Sequence, residues 1–115
     1  MTAEQLIHYI NTQYSAAPDY PWVKYPDYAV FRHADRKWFC LLMKVEANKL
    51  GLHSEERLEV INLKAQPELV GALRAINGIF PAYHMNKEHW ISVVLNRVAE
   101  QTIYELIDDS YRLTR

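Results

Sequence analysis

The segment from Ile79 to Leu95 reads IFPAYHMNKEHWISVVL, and the organisation of the whole chain follows from it. Its middle is polar, with a tyrosine, two histidines, an asparagine and a lysine between residues 83 and 89. The part from His89 onward is strongly β-prone, with Ile91, Val93 and Leu95 on one face of the predicted strand. Trp90, Ser92 and Val94 lie on its other face. A polar loop anchored by a core strand is typical of a binding site, although an ordinary surface turn has the same pattern.

Working toward the N-terminus, the sequence predicts further strands over 58–64, over 29–32 and over 37–45, the last two joined as a hairpin through residues 33–36. A short strand is also predicted over 20–24, followed by a turn at Pro26. The strand over 37–45 is apolar on nearly both faces, which is typical of a central strand. Its predicted faces are Phe39, Leu41, Met43 and Val45 on one side, and Trp38, Cys40, Leu42 and Lys44 on the other. Residues 47–56 have no period and are expected to form a long loop or a hairpin tip.

Three helices are predicted from capping signals and apolar stripes. Thr2 and Gln5 match a capping box for a helix over 2–14, which Pro18 helps to terminate. Pro67 begins a short second helix that ends before Gly78. A third helix covers about 99–113. The expected buried stripes are Ala3, Leu6, Ile7, Ile10 and Tyr14 in the first, Leu69, Val70, Leu73 and Ile76 in the second, and Ile103, Leu106, Ile107, Ser110 and Tyr111 in the third.

Strands framed by terminal helices predict an α+β fold, a two-layer sandwich with the N- and C-terminal helices packed on one face of an antiparallel sheet. The 115 residues form a single domain, 1–115, and half of them are hydrophobic, enough for one core. The residues expected to be almost fully buried in that one core are Leu41, Ile91, Val93, Leu106 and Ile107.

Composition bounds the function. No segment approaches the roughly 20 apolar residues of a membrane span, and the first residues lack the basic and apolar regions of a signal peptide. The single cysteine, Cys40, excludes an intramolecular disulfide and favours a reducing compartment, so we expect a cytoplasmic protein. The net charge of −1 disfavours a nucleic-acid binder.

Charge is nevertheless distributed unevenly along the chain. Between Tyr20 and Val45 five basic residues face two acidic ones, whereas the C-terminal helix is acidic. A near-neutral total can therefore hide a basic face opposite an acidic one. The basic residues are Lys24, Arg32, Arg36, Lys37 and Lys44. A solvated hairpin end is the alternative interpretation of Arg36 and Lys37.

Catalytic and metal signatures are absent. The histidines at 33, 53, 84 and 89 form no HxH or HxxxH pair, so no metal site and no cofactor are predicted. Cys40 lies between Phe39 and Leu41, where apolar surroundings suppress the reactive thiolate. No phosphate-binding glycine loop, nucleophile elbow or paired-carboxylate motif occurs. We therefore expect a protein that is not an enzyme.

The amino-acid sequence of the polar loop resembles that of a known family. The run PAYHMNK over 81–87, followed by His89 and Trp90, and the run SYRL over 110–113 resemble the MmcQ/YjbR family. The resemblance is sharpest over 58–113 and fainter around Trp22 and Phe31, whereas 46–57 matches nothing in the family. It implies a CyaY-like (frataxin-like) α+β fold, DNA binding and no enzymatic activity. It gives no iron site, because an acidic first helix would be needed and this one carries only Glu4.

The leading hypothesis is a DNA-binding module that contacts phosphates through basic hairpin residues, weakly and without sequence specificity. In a double-wing arrangement, Arg36 and Lys37 form one wing and the 46–57 segment forms the other. The expected nucleic-acid-binding residues are Arg32, Arg36, Lys37, Lys44 and Lys87. The alternative is a protein-interaction or small-anion-binding domain that uses the 81–90 loop, with Tyr83, His84, Asn86, His89 and Trp90 as ligand residues. No membrane partner is expected, and the sequence leaves the oligomeric state open.

Overall fold

A computed structural model describes all 115 residues of the chain. It contains three α-helices, five strands and one 3-10 turn. In chain order these are α1 (Ala3–Tyr14), β1 (Ala29–Arg32), β2 (Trp38–Glu46), the 3-10 turn (Ala47–Leu50), β3 (Arg57–Lys64), α2 (Pro67–Arg74), β4 (Ile79–Pro81), β5 (Trp90–Val94) and α3 (Glu100–Leu113). The strands form one antiparallel sheet in the order β1-β2-β3-β5-β4. The predicted α+β class is confirmed.

Helix α1 begins and ends where the local chemistry requires. The Thr2 hydroxyl accepts a hydrogen bond from the backbone N–H of Gln5, and the Gln5 side chain accepts one from the backbone N–H of Thr2. This reciprocal capping box satisfies two amides that the first helical turn leaves unpaired. Ser15 then adopts a left-handed conformation and ends the helix. The helix buries Leu6 and Ile10 completely.

Helices α1 and α3 pack on the same face of the sheet, as predicted. The larger cluster of buried side chains joins Leu6 and Ile10 of α1, Ile103 and Ile107 of α3 and the inward residues of every strand. Val70 of α2 completes it at one edge. No helix in the structure combines the length and apolarity needed to span a bilayer.

The opposite face of the sheet has its own apolar cluster. Its buried members are Val30, Leu41, Met43, Val45, Ala47, Leu58, Val60 and Val94. Leu41 belongs there, so the prediction that it shares one core with Ile91, Val93, Leu106 and Ile107 is wrong, although all five are buried. Loops instead of helices cover this second face, with side chains such as Trp22, Tyr28 and Tyr83 packed against it.

The predicted faces of β2 are wrong at its first two residues. Phe39 lies in the helix-side cluster together with Cys40, and Trp38 packs on the second face. The cause is a register shift opposite Phe31 and Arg32, where Phe31 pairs with Cys40 but Arg32 pairs with Trp38. A β-bulge of this kind inserts one residue and breaks the alternation of side chains.

Residues 20–24 do not form the predicted strand. Only Asp19 makes an isolated bridge, to Val30, and the chain then runs through two successive turns. In these turns the Tyr25 amide donates to the Trp22 carbonyl and the Tyr28 amide donates to the Tyr25 carbonyl. Pro21, inside the segment, and Pro26, two residues after it, lack the amide that a strand ladder needs.

Helix α2 is shorter than its pattern suggests, ending at Arg74. Ile76 lies beyond this end and is 42% exposed. Leu69, within the helix, is 49% exposed, so both depart from the predicted buried stripe. The chain next passes Gly78, where φ is +96° and an added Cβ would lie 2.8 Å from a Val98 methyl group. That turn leads into β4, an edge strand of three residues that the sequence did not predict.

Candidate nucleic-acid interface

Two hairpin turns lie at the same end of the sheet. β2 and β5 run in the same direction, each antiparallel to β3 between them, and their first residues meet the C-terminal end of β3: Cys40 pairs with Leu63 and Trp90 with Lys64. The β1–β2 turn (33–37) and the β4–β5 loop (82–89) therefore project from the same end of the strands. We call this end of the sheet the two-hairpin end. At a strand spacing of about 4.8 Å, β2 and β5 are about 10 Å apart.

The β1–β2 turn exposes two cations. It is closed by the His33 amide donating to the Lys37 carbonyl at 2.8 Å and by the Arg36 amide donating to the His33 carbonyl at 2.9 Å. Arg36 sits at φ +78°, and its side chain and that of Lys37 are exposed. The Lys37 ammonium lies 3.8 Å from Asp35, an exposed pair of little energetic value that a phosphate can displace.

Helix α3 is fastened to this turn through polar contacts. The Ser110 hydroxyl donates to the Phe39 carbonyl at 2.5 Å and accepts from the Lys64 amide at 2.9 Å. His33 Nε2 lies 2.7 Å from the Thr114 hydroxyl, and burial lowers the pKa of His33. These contacts join the C-terminal end of α3 to the base of the hairpin, beneath its exposed tip.

Two of the five residues predicted to contact phosphates are not available at the two-hairpin end. Arg32 is already ion-paired, and Lys44 lies toward the opposite end of β2. The Arg32 guanidinium is ion-paired with Asp19 and lies 5.9 Å from the ring of Trp38, with only 15% of its side chain exposed. Lys44 is exposed but lies six residues along β2 from Trp38, about 20 Å toward the opposite end. There it pairs in register with Glu59. Arg36, Lys37 and Lys87 remain at the two-hairpin end.

The 47–56 connection joins β2 to β3 as the predicted hairpin tip, beginning with the 3-10 turn. It extends from the end of β2 that lies opposite the β1–β2 turn, because Glu46 pairs with Arg57 there. β2 has nine residues, so the two tips are about 30 Å apart. They cannot form adjacent wings on the same side of the molecule.

A buried polar pair holds the β4–β5 loop against the second face. The Ser92 hydroxyl donates to Asn62 Oδ1 at 2.5 Å and accepts from the Tyr83 amide at 2.9 Å, while Asn62 Nδ2 donates to the Tyr83 carbonyl at 2.8 Å. Both side chains are fully buried. The sequence reasoning missed Asn62, and the signal was available, since a lone asparagine in an apolar strand must find partners.

Asn86 has an architectural role in the loop. Its side-chain oxygen accepts from the amides of Glu88 and His89 at 2.8 and 3.2 Å, and its carbonyl accepts from the Trp90 amide at 3.0 Å. The side chain of Asn86 therefore caps the turn that enters β5. The Lys87 side chain is exposed at the tip of that turn. The backbone carbonyl of Lys87 accepts a hydrogen bond from the Arg74 guanidinium.

The predicted ligand residues of this loop do not converge on Lys87. His89 and Trp90 are half-buried at the start of β5, where the His89 carbonyl accepts from the Ala65 amide at 2.9 Å. The His84 ring lies 3.8 Å from the Tyr83 ring and instead borders an aromatic pocket on the second face. His84 is exposed and sits at φ +65°.

This aromatic pocket has a volume of about 270 Å³. Its lining residues are Trp22, Tyr25, Tyr28, Trp38, Leu41, His84 and Met85. Trp22 meets Trp38 edge to face at 5.6 Å, and Tyr25 stacks on Tyr28 at 4.7 Å. Trp38 and His84 bring the pocket to the two-hairpin end, between the two turns. Sequence reasoning did not assemble it, because its members come from three distant segments.

The ionisable groups offer little chemistry. Cys40 is fully buried, as expected, and burial raises the pKa of its thiol well above its ordinary value. Burial likewise raises the pKa of the Tyr28 phenol, with Tyr83 and Tyr25 adding to the effect. No group of three or more histidine, cysteine or carboxylate side chains lies close enough to hold a metal ion.

Comparison with known families gives one match of high coverage. The model of the YjbR family matches residues 12–113. The uncharacterized protein YyaQ of Bacillus subtilis (strain 168) is 45% identical over 117 residues, which cover 100% of this chain and 99% of YyaQ. The uncharacterized protein YjbR of Escherichia coli (strain K12) is 35% identical over 78 residues, which cover 65% of this chain and 66% of that protein.

Solved structures show the same fold. The crystal structure of a Pseudomonas syringae protein superposes with a TM-score of 0.98 at 55% sequence identity, with 100% of both chains covered. Deinococcus radiodurans protein DR2400, described as containing the DUF419 domain, superposes with a TM-score of 0.73 at 24% identity, covering 97% of this chain and 77% of that one. The second likeness concerns the fold alone.

Proposed function

Given that this chain belongs to the YjbR family, we propose that it is a small DNA-binding domain whose two-hairpin end contacts the phosphates of a duplex. The observation that carries this proposal is the strand order. It sets the β1–β2 turn beside the β4–β5 loop, about 10 Å apart at their supporting strands. That separation is close to the roughly 12 Å width of the DNA major groove, so the two turns can meet the two phosphate backbones that border one groove.

The interacting side chains are Arg36 and Lys37 on the first turn and Lys87 on the second. All three are exposed, and a solvated cation can exchange its counterion for a phosphate. Arg32 acts as a support, because Asp19 and Trp38 hold its guanidinium. Lys44 and the 47–56 segment take no part, since they lie toward the opposite end of β2.

So few cations make binding weak and non-specific. Each phosphate contact contributes roughly 0.9 to the slope of log affinity against log salt, and three contacts give a slope of about −2.7. In this proposal the exposed cations contact phosphates, and phosphate contacts carry no sequence information directly. We therefore infer a domain that recognises the backbone and not the sequence.

We also propose that the domain acts by binding and not by catalysis. Its one nucleophilic thiol, that of Cys40, is buried and its pKa is raised. A reducing compartment suits a chain whose single cysteine is free, which favours the cytoplasm.

The test is an electrophoretic mobility shift with duplex DNA at about 50 mM and about 200 mM salt. Arg36→Ala with Lys37→Ala should weaken binding and make the salt slope shallower by about 2. Lys44→Ala with Lys49→Ala removes the same charge from the other end of β2 and serves as the control, with its slope unchanged. Equal losses in both double variants would show that only net charge matters and would refute the proposed interface.

A further inference from the structure

The aromatic pocket is an unusual feature for a phosphate-binding end, because aromatic rings contribute nothing to backbone attraction. Trp22 and Trp38 meet at an interplanar angle of 79°, and Trp22 and Tyr28 meet at 82°. These rings therefore pack edge to face in the wall of the pocket. Tyr25 is 47% exposed, so the outer part of this wall is accessible from solvent.

Charge discriminates among the ligands that an aromatic pocket can take. A caged organic cation is one possibility, since tryptophan and tyrosine faces attract cations. The lining contains no carboxylate, however, and Arg32 already occupies a position 5.9 Å from the Trp38 ring. An organic cation would therefore meet no opposite charge in the lining, whereas the exposed cations of the two-hairpin end, Arg36, Lys37 and Lys87, favour a planar group attached to an anion.

The Tyr28 phenol adds no negative charge to this picture. Burial raises its pKa, so the phenol is protonated at neutral pH. The wall of the pocket therefore carries no phenolate that would repel a phosphate.

Size narrows the choice further. Pockets for drug-sized ligands measure about 300–1,000 Å³, and this one is slightly smaller at about 270 Å³. It suits one heterocycle and is too small for a dinucleotide. Leu41 and Met85 supply an apolar lining beneath the rings.

We propose that the pocket bounded by Trp22, Tyr25 and Trp38 takes a single unstacked nucleobase while the hairpin cations hold its phosphate. Where that base belongs to a DNA strand, the inference rests on the proposed function and extends it from the backbone to an unpaired base. A free nucleotide carries the same chemistry and is the other source of the base.

The experiment compares three probes: a short oligothymidylate, an abasic strand of the same length and free thymidine monophosphate. Quenching of tryptophan fluorescence reports stacking, and Trp90→Phe serves as the background because Trp90 lies outside the pocket. The oligothymidylate should bind more tightly than the abasic strand by about 5- to 150-fold, the effect expected for one stacked base.

The diagnostic variant is Tyr25→Ala, and Tyr20→Ala is its matched control. Both side chains are about half exposed, at 47% and 50%, but Tyr20 does not line the pocket. Tyr25→Ala should reduce the preference for the base-bearing strand at least fivefold, and Tyr20→Ala should leave it intact.

The two proposals fail in different ways. If the wild-type protein binds both strands equally, or if Tyr25→Ala retains the full preference, the base pocket is refuted while salt-dependent DNA binding stands. If neither single strand binds, a pocket for a base of DNA is refuted. If duplex DNA does not bind in the mobility-shift experiment, the proposed function fails. In that case, quenching by thymidine monophosphate that Tyr25→Ala abolishes still supports the base pocket, and the absence of quenching refutes it.

Discussion

At the scale of single residues, buried polar side chains fix where the functional segments lie. Ser92 and Asn62 hold the backbone of Tyr83 on both its donor and its acceptor side. Ser110 fastens α3 to the strands β2 and β3. Each such group was desolvated on folding, so losing one partner leaves another buried group unpaired.

Ser92→Ala should lower the free energy of unfolding by about 1–3 kcal/mol, because Asn62 Oδ1 and the Tyr83 amide lose their common partner. Urea denaturation measures the change. Ser54→Ala is the control, since that hydroxyl only accepts from the nearby Glu56 amide at the surface. A loss no larger than that of the control would mean that the loop is positioned by apolar packing alone.

Asn86→Ala should cost about 1 kcal/mol through loss of its cap to the amides of Glu88 and His89. Lys87→Ala, one residue away, should leave the melting temperature nearly unchanged, because its side chain is exposed. Thermal denaturation of the two variants makes the comparison. A destabilised Lys87→Ala protein would show a structural role for that lysine and remove it from the interface.

His33 gives the stability a predictable pH dependence. Its pKa in the folded protein is lowered by burial, so the unfolded chain takes up its proton first, near pH 6.5. The contribution of neutral His33 to the free energy of unfolding is therefore fully present above about pH 6.5 and is lost as the pH falls below that value. His33→Gln should therefore show a smaller loss of unfolding free energy between about pH 7.5 and about pH 5.5 than the wild-type protein. An identical pH dependence would contradict the assignment.

At the scale of the elements, local signals predicted most of the fold. The capping box of α1, the periodicity of α3 and the alternation of β5 are properties of neighbouring residues, and each element was confirmed. The errors arose where distant pairing decides. The bulge that turns Phe39 to the helix side of the sheet arises in the pairing of β2 with β1. The three residues of β4, Ile79 to Pro81, form a strand only by pairing with β5.

Leu106→Ala should destabilise the protein by about 2–5 kcal/mol, because this α3 side chain is only 8% exposed in the helix-side core. Leu69→Ala in α2 is the control, with a helical leucine that is 49% exposed. Chemical denaturation should give the control a much smaller loss. A loss below about 0.5 kcal/mol for Leu106→Ala would mean that α3 does not depend on this contact with the sheet.

At the scale of the whole molecule, the candidate site results from sheet topology. Arg36, Lys37 and Lys87 were all named from the sequence, but nothing in their spacing indicated that strand order would bring them to one end. The β2–β3 hairpin places Lys44 and the 47–56 segment toward the opposite end of the sheet from these three cations. The aromatic pocket was inaccessible to sequence reasoning for this reason, since Trp22, Trp38 and His84 are joined only by folding.

The central claim is that two separate hairpin turns meet the phosphates of one duplex, and the salt dependence of duplex binding in Lys87→Ala tests it most directly. The slope of log affinity against log salt should become shallower by about 0.9 for Lys87→Ala alone and by about 2.7 when Arg36→Ala and Lys37→Ala are added. Lys44→Ala, matched in charge, should leave it unchanged. An unchanged slope for Lys87→Ala, with the loss confined to Arg36 and Lys37, would contradict the claim.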